Sequence, residues 1–257
     1  MHWRTAPPRR CSSPSDLPLR VEFVAETGST SRDLIDRLAA GEAIAEGYWL
    51  VADRQTEGRG RQGRSWLGAP GNFMGSTVVN LQPSDPLPAS LSFVAAMATY
   101  EVVVSHLTAP QTLLVKWPND LMLGGAKLSG ILLERVGDAA VIGIGVNLAE
   151  APRLADRTAR HLGEVGPPPE RNDFARNLAM SFDRELDRWR QFGIEPLFAR
   201  LLAASYPLGS RLTVHAGDGT RVTGEFHGLE ADGALRLRLA DGTVRAIHAG
   251  DVTEEGS

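Results

Sequence analysis

Cysteine is almost absent from this chain, because Cys11 is the sole thiol among 257 residues. A single cysteine excludes an intrachain disulfide scaffold and any zinc site built from several cysteines. Such sparse use of cysteine suits a reducing compartment, and we therefore expect a cytoplasmic protein.

Long apolar runs and a strong net charge are missing as well. No stretch reaches the about 18 consecutive apolar residues of a membrane helix, so we expect no membrane association. The 27 basic and 31 acidic side chains leave a net charge of −4, which does not favour general nucleic-acid binding. Residues 1–20 contain four prolines but no apolar core of a signal peptide, and we expect a disordered tail there.

Residues 21–206 have the pattern of an α+β domain. An apolar, alanine-rich stretch at 90–106 predicts a buried helix, and Asp173 is a candidate cap for an amphipathic one. Because the last strands follow one another without an intervening helix, the sheet should be mixed or antiparallel. The predicted strands are 21–24, 48–52, 76–81, 113–117, 128–135 and 139–148.

The residue pattern of the chain changes after Pro207. Short alternating segments are separated by Asp218-Gly219, Asp232-Gly233 and Asp241-Gly242. Asp-Gly between alternating runs is a strong hairpin signal. Residues 207–257 are therefore predicted to form a small all-β barrel.

A glycine-rich loop follows the second predicted strand. Gly58, Gly60 and Gly63 spell G-x-G-x-x-G, the dinucleotide-binding pattern. That pattern works only where a helix starts at the glycines and faces a pyrophosphate. Glycine and proline recur within 68–71 and forbid a long helix, so the dinucleotide interpretation fails.

The same loop carries Arg59, Arg61 and Arg64 between its glycines, and Trp66 after them. Guanidinium groups suit carboxylate and phosphate oxygens, and glycines let the backbone approach an anion closely. Ordering such a loop without a ligand is costly, so we expect it to close over an anionic substrate. A solvated basic loop is the alternative.

Two lysines head apolar strands. Lys116 is followed by Pro118, Asn119 and Asp120, and Lys127 starts the next strand. Lysines at strand ends often only protect a sheet edge. Here Pro118 restricts the backbone beside two polar side chains, and a lysine so placed can stabilise a developing oxyanion.

Together and in this order, the motifs resemble those of bacterial biotin–protein ligases over residues 21–255. The resemblance implies a catalytic fold similar to class II aminoacyl-tRNA synthetases, followed by a Src-homology-type barrel. About twenty residues before the first strand are too few for a DNA-binding core, so we expect the monofunctional type. The matching motifs are Gly28-Ser29-Thr30-Ser31, Gln55-Thr56 with Gly58-Arg59-Gly60-Arg61, Lys116-Trp117-Pro118-Asn119-Asp120, Lys127-Leu128-Ser129-Gly130-Ile131-Leu132 and Gly143-Ile144-Gly145-Val146-Asn147.

The resemblance implies two half-reactions. The carboxylate of biotin attacks the α-phosphate of ATP, which gives biotinyl-5′-adenylate and pyrophosphate, with Mg²⁺ expected on the pyrophosphate side. A lysine of a biotin carboxyl carrier protein or domain, for example of acetyl-CoA carboxylase, then attacks the mixed anhydride and releases AMP. Members of the family are monomers or homodimers, and no nucleic acid is expected as a partner.

The resemblance also implies roles for individual residues. Lys127 and Arg61 are catalytic, with Asp120 as a general base for the acceptor lysine. The biotin-binding set is Ser29, Thr30, Ser31, Gln55, Arg59, Gly60, Arg61 and Lys127. The ATP-binding and adenylate-binding set is Arg59, Arg61, Arg64, Trp66, Lys116, Asn119, Lys127 and Asn147. Ser31 departs from the family, which more often has Asn there, and no protein ligands for a metal are expected.

Three alternatives remain open at this stage. Lipoate–protein ligases share the catalytic fold and the adenylate chemistry, but would not be expected to carry the arginine-glycine loop. A DNA-binding regulator would need more chain before the first strand. A non-catalytic module that merely binds an anion would tolerate the loss of Lys127.

Overall fold

The computed structural model of the chain describes residues 20–153, 158–216 and 219–254. Residues 1–19 of the predicted tail and Asp218 of one predicted turn lie outside this part. The described residues form twelve β-strands and four α-helices. None of these helices has both the length and the apolar character that crossing a membrane requires.

Seven strands form one mixed sheet, which is one of the two arrangements that the sequence predicted and has one strand more than expected. Its order is β1-β2-β3-β7-β6-β5-β4, in which β1 and β2 are parallel and the other neighbours are antiparallel. The strands are β1 (Arg20–Thr27), β2 (Tyr48–Gln55), β3 (Phe73–Asn80), β4 (Leu113–Lys116), β5 (Asp120–Leu123), β6 (Ala126–Val136) and β7 (Ala139–Val146).

The central strands are covered on two faces, which explains their nearly continuous apolar sequences. On one face, helix α1 (Thr30–Ala39) places Leu34 against Leu50, Val78 and Val141. The other face is covered by helices α2 (Leu91–Val104) and α3 (Arg171–Phe192), which bury a large apolar core. The α+β class and the buried helix near residues 90–106 are thereby confirmed.

Other expectations were incomplete. Glu170, not Asp173, caps α3, because the Glu170 carboxylate accepts the Asp173 N–H at 2.8 Å and Asp173 already lies in the first turn. Strand β5, helix α4 (Glu195–Ala203) and the last strand of the chain were not predicted. The two strands span four residues each, and neither follows an Asp-Gly turn of the kind that marked equally short strands near the C-terminus.

The C-terminal residues form a second, wholly antiparallel sheet in the order β11-β10-β9-β8-β12. Gly233 and Gly242 have φ of +87° and +84°, which is the left-handed backbone that favours glycine in turns. The domain boundary at 206/207 remains a prediction. The strands are β8 (Arg211–His215), β9 (Arg221–Leu229), β10 (Leu235–Arg238), β11 (Val244–Ile247) and β12 (Asp251–Glu254).

A tryptophan joins the second sheet to the first. The buried Trp117 follows β4, and its Nε1–H donates to the carbonyl oxygen of Gly233 at 3.0 Å. The contact holds the turn at Gly233 beside the turn between β4 and β5. The C-terminal sheet therefore lies next to the Asn119-Asp120 segment.

Replacing Trp117 with Phe tests this junction. The change keeps an aromatic side chain but leaves the Gly233 carbonyl without its donor, so the free energy of unfolding should fall by about 1–2 kcal/mol. Urea unfolding followed by circular dichroism measures the difference. The control is Phe192→Leu at a side chain that is 58% exposed, which should stay within about 0.5 kcal/mol. Equal losses in the two variants would contradict the assignment.

Candidate functional site

A cavity of about 1020 Å³, its open mouth included, lies between the first turn of α1, the end of β2, and the inner parts of β3, β6 and β7. The loop at 58–66 forms its outer wall. All the predicted site residues line the cavity except Lys116.

One wall of the cavity carries small hydroxyl groups. Ser29 is the extended N-cap residue of α1, which places Thr30 and Ser31 in the first turn of the helix. These three side chains are buried, and Gln55 at the end of β2 joins them. The Thr30 N–H donates to Gln55 Oε1 at 2.8 Å, and the Thr30 hydroxyl donates to the same atom at 3.0 Å.

Ser76 on β3 completes this wall and was not predicted. Its Oγ lies 2.7 Å from Thr30 Oγ1 and 2.9 Å from Ser31 Oγ, and the residue is fully buried. In the sequence Ser76 stands at the start of an apolar run, and only its small polar side chain distinguished it. Across from it, a Cβ on Gly143 would lie 2.3 Å from Ser31 Oγ, so glycine is required for this approach.

The arginine-glycine loop has a compact conformation of its own. Gly60 N–H donates to Arg64 O at 2.7 Å, and Trp66 N–H donates to Gly58 O at 2.8 Å. Residues 61–63 make a short 3₁₀ turn with Gln62 at φ +57°, and no α-helix starts here. Rejection of the dinucleotide-binding interpretation is consistent with this geometry.

Two arginines of the loop are held by acceptors from elsewhere in the fold. Arg61 Nη1 donates to Asn119 Oδ1 at 2.9 Å, and Asn119 Nδ2 donates to Ile131 O at 2.6 Å. Arg64 forms an ion pair with Asp251 of β12. Asp251 also lines the cavity and was not predicted, because nothing in the sequence links position 251 to position 64.

The second wall carries a partly buried ion pair. Lys127 Nζ donates to Asp120 Oδ1 at 2.7 Å, and the two side chains are 18% and 12% exposed. The pairing of β5 with β6 shifts register beside these residues, between Leu121 and Met122. Asp120 and Lys127, both members of the predicted catalytic set, are therefore in direct contact.

Trp66 closes the cavity against the sheet. A Cβ on Gly145 would lie 2.2–2.6 Å from three atoms of the indole, so the ring lies directly on the backbone of β7. The Lys127 ammonium is 5.9 Å from the ring centroid, within reach of a cation–π interaction. Gly145 thus leaves room for a flat group on the strand, and in this structure that group is Trp66.

Asn147 follows β7 and is buried, with its Nδ2 donating to Arg160 O at 3.1 Å. Its Oδ1 is buried without a hydrogen-bond partner. Native proteins leave few buried acceptors unpaired, so this oxygen has capacity for a donor on a ligand. An exocyclic amine of adenine is a donor of that kind.

The cavity is rich in positive charge, and this charge lowers the pKa of Asp251. Burial alone would raise the pKa of the Asp251 carboxyl, but the hydrogen bond from Arg64 and the charges of Lys116 and Arg61 outweigh burial and lower it. Asp251 is therefore ionised at neutral pH. Lys116, although it does not line the cavity, contributes to this field.

Within the described ranges, no cluster of three or more histidine, cysteine or acidic side chains could hold a metal ion. Asp120 and Asp251 are the carboxylates that line the cavity. Mg²⁺ usually binds through substrate phosphates and one or two carboxylates, so the arrangement fits an ion that enters with the nucleotide.

Gly145→Ala tests the contact beneath Trp66. The added methyl group cannot coexist with the indole, so Trp66 should leave the strand and the loop should open. Trypsin should then cleave after Arg59, Arg61 and Arg64 several-fold faster than in the native protein. Gly166→Ala is the matched control, because its methyl group would meet open space. Unchanged loop cleavage in Gly145→Ala would show that the indole does not depend on this glycine.

Comparisons with known proteins agree with this geometry. The model of the biotin/lipoate A/B protein ligase family matches residues 28–147, and that of the biotin protein ligase C terminal domain matches residues 208–253. A biotin–[acetyl-CoA-carboxylase] ligase of Paracoccus denitrificans is 36% identical over 227 residues, covering 84% of this chain and 93% of the relative. The enzyme of that name from Mycobacterium tuberculosis is 35% identical over 241 residues, with coverage of 91% and 88%.

A solved structure of a biotin protein ligase is also similar to this chain. The biotin protein ligase of Aquifex aeolicus in complex with biotin and ATP is similar with a TM-score of 0.78 and 26% identity. The similarity covers 93% of this chain and 99% of that chain. The chain therefore belongs to the biotin/lipoate A/B protein ligase family and, within it, to the biotin protein ligases.

Proposed function

We propose that the chain is a biotin–protein ligase that uses ATP to attach biotin to a lysine of a biotin carboxyl carrier protein, by way of biotinyl-5′-adenylate. The observation that carries the proposal is one cavity with a hydroxyl-lined wall on one side and Lys127, Arg61 and Arg64 around the rest. The relatives named as biotin–[acetyl-CoA-carboxylase] ligases support the acceptor.

The first half-reaction brings two anions together. The carboxylate of biotin must approach the α-phosphate of ATP, and fixed cations offset their repulsion. Lys127 and Arg61 would contact the carboxylate and the phosphate oxygens, while Arg59 and Arg64 would contact the remaining phosphates. Asn119 and Asp120 already hold Arg61 and Lys127, so little reorganisation is needed when charge develops.

The second half-reaction needs a neutral amine. The acceptor lysine arrives as an ammonium ion and must lose a proton before it attacks the carbonyl carbon of the mixed anhydride. Asp120 is the buried carboxylate beside Lys127, and we assign it the role of general base. In the transition state Lys127 would stabilise the developing oxyanion, and AMP leaves as the amide bond forms.

The loop has a second task. An acyl-adenylate hydrolyses in contact with water, so the site must exclude it. Trp66 lies across β7 and the loop is tied to Asn119 and Asp251, which gives the cavity a cover. We assign adenine to the surroundings of Trp66 and Asn147, where an aromatic face and an unpaired acceptor are available.

Lipoate is the competing substrate within the family. Its dithiolane ring offers no hydrogen-bond donor, whereas the ureido ring of biotin has two N–H groups and a carbonyl oxygen. The wall formed by Thr30, Ser31, Gln55 and Ser76 is polar and would leave unpaired groups against a dithiolane. This wall favours biotin.

Further features of the working enzyme are also proposals. Mg²⁺ would be held mainly by the phosphates of ATP, and it would supply positive charge to the leaving pyrophosphate. We expect the enzyme in the cytoplasm, where ATP and carboxylases meet. A monomer or homodimer without a nucleic-acid partner remains our expectation.

Pyrophosphate exchange into ATP tests the first half-reaction. We expect biotin to support exchange in the presence of Mg²⁺, lipoate to support little, and EDTA to abolish it. Exchange with lipoate but not with biotin would reverse the choice of substrate. Labelling of an apo carrier protein with biotin measures the second half-reaction.

Lys127→Met tests the assigned cation. The change should lower kcat/KM for biotinylation by roughly 10²–10³-fold, since a charge in direct contact with the reacting oxygens is lost. The matched control is Arg135→Met at the far end of the same strand, where the side chain is 64% exposed and its change should leave activity near native. Undiminished labelling by Lys127→Met would remove this residue from the mechanism.

A further inference from the structure

Four side chains in the hydroxyl-lined wall form an unbroken row of hydrogen bonds. Ser31 Oγ lies 2.9 Å from Ser76 Oγ, Ser76 Oγ lies 2.7 Å from Thr30 Oγ1, and Thr30 Oγ1 lies 3.0 Å from Gln55 Oε1. The three hydroxyl residues are buried, with Ser76 fully so. In a buried row of this kind, the donors and acceptors within hydrogen-bond distance determine the direction in which each hydroxyl proton points.

The direction is set at Gln55. The backbone N–H of Thr30 lies 2.8 Å from one atom of the Gln55 amide, and an N–H can only donate. That atom must therefore be the carbonyl oxygen Oε1, which can only accept. The Thr30 hydroxyl lies 3.0 Å from the same oxygen and therefore donates its single proton to it.

The remaining protons follow in turn. Since Thr30 has no further proton, the 2.7 Å contact forms only if Ser76 donates to Thr30. Because Ser76 then donates its only proton to Thr30, the 2.9 Å contact between Ser31 Oγ and Ser76 Oγ requires Ser31 to donate to Ser76. Any other arrangement would place two oxygen lone pairs against each other at hydrogen-bond distance.

We propose that Ser76 is a positioning residue that makes Ser31 an obligate acceptor toward the substrate. The Ser31 proton is directed into the protein, so only oxygen lone pairs face the cavity. Ser31 therefore selects an N–H donor on the substrate ring, which in biotin is a ureido N–H. This inference rests on the proposed function and adds the group that sets the polarity of the pocket.

Cyclic carbamate analogues of biotin, in which one or the other ureido N–H is replaced by a ring oxygen, test the proposal. The readouts are kcat and KM for each acid in pyrophosphate exchange. The native enzyme should discriminate by about 100-fold or more against the analogue whose oxygen meets Ser31, because two acceptors then face each other.

Ser76→Ala frees the Ser31 hydroxyl to turn its proton into the cavity. The KM for biotin should rise about tenfold with kcat nearly unchanged, and discrimination against the carbamate should fall to within about tenfold. Thr30→Val breaks the row one step nearer to Gln55 and should relax selectivity in the same way. It therefore provides a second test if Ser76→Ala folds poorly.

Two further variants separate this role from a general loss of packing. Ser129→Ala removes another fully buried serine hydroxyl, one without a hydrogen-bond partner, and should leave selectivity as in the native enzyme. In a Ser31→Ala background, Ser76→Ala should change selectivity no further, since Ser76 acts through Ser31.

The outcomes are distinct. Full carbamate discrimination in Ser76→Ala, or additive effects of Ser31→Ala and Ser76→Ala, would overturn the inference. Absence of biotin-dependent exchange in the native protein would instead overturn the proposed function. Relaxed selectivity in Ser76→Ala and Thr30→Val, with native selectivity in Ser129→Ala, would support the inference.

Discussion

The structure of the site depends on keeping several cations close together before any anion arrives. Like charges repel, so each cation needs a fixed acceptor that does not fill the cavity. Asn119 accepts from Arg61, Asp120 from Lys127, and Asp251 pairs with Arg64. These acceptors come from the β4–β5 turn, from the first residue of β5 and from β12, so the two sheets have to meet at this point for the cations to be held.

Close approach between groups is the second constraint. The indole of Trp66 rests on the backbone of β7 at Gly145, and Ser31 Oγ rests above Gly143. Any larger residue at these positions would move the loop or the hydroxyl row. Glycine in a strand usually weakens a sheet. Here Gly143 and Gly145 leave the space that the Ser31 hydroxyl and the Trp66 ring occupy.

The two walls of the cavity also divide the chemistry. Thr30, Ser76 and Gln55 form a neutral row of hydrogen bonds, to which we assign the discrimination among substrate rings. Lys127 and Asp120 form a charged pair suited to proton transfer and oxyanion stabilisation. With these assignments, recognition and reaction lie on separate elements of the fold, so a change in the neutral wall should alter selectivity without removing the charge of Lys127.

The sequence by itself determined the α+β class, the hairpin signals near the C-terminus and the arginine-glycine and Lys-Trp-Pro-Asn-Asp motifs, because these depend on local periodicity and on residue type. Tertiary structure alone decided that Ser76 joins Ser31, that Asp251 pairs with Arg64 and that Trp66 lies on Gly145. These partners are separated by 45 or more positions, and contacts between distant strands leave no local pattern. Short elements such as β5 and β12 were missed for a related reason: neighbours in the sheet, rather than their own four residues, hold them in place.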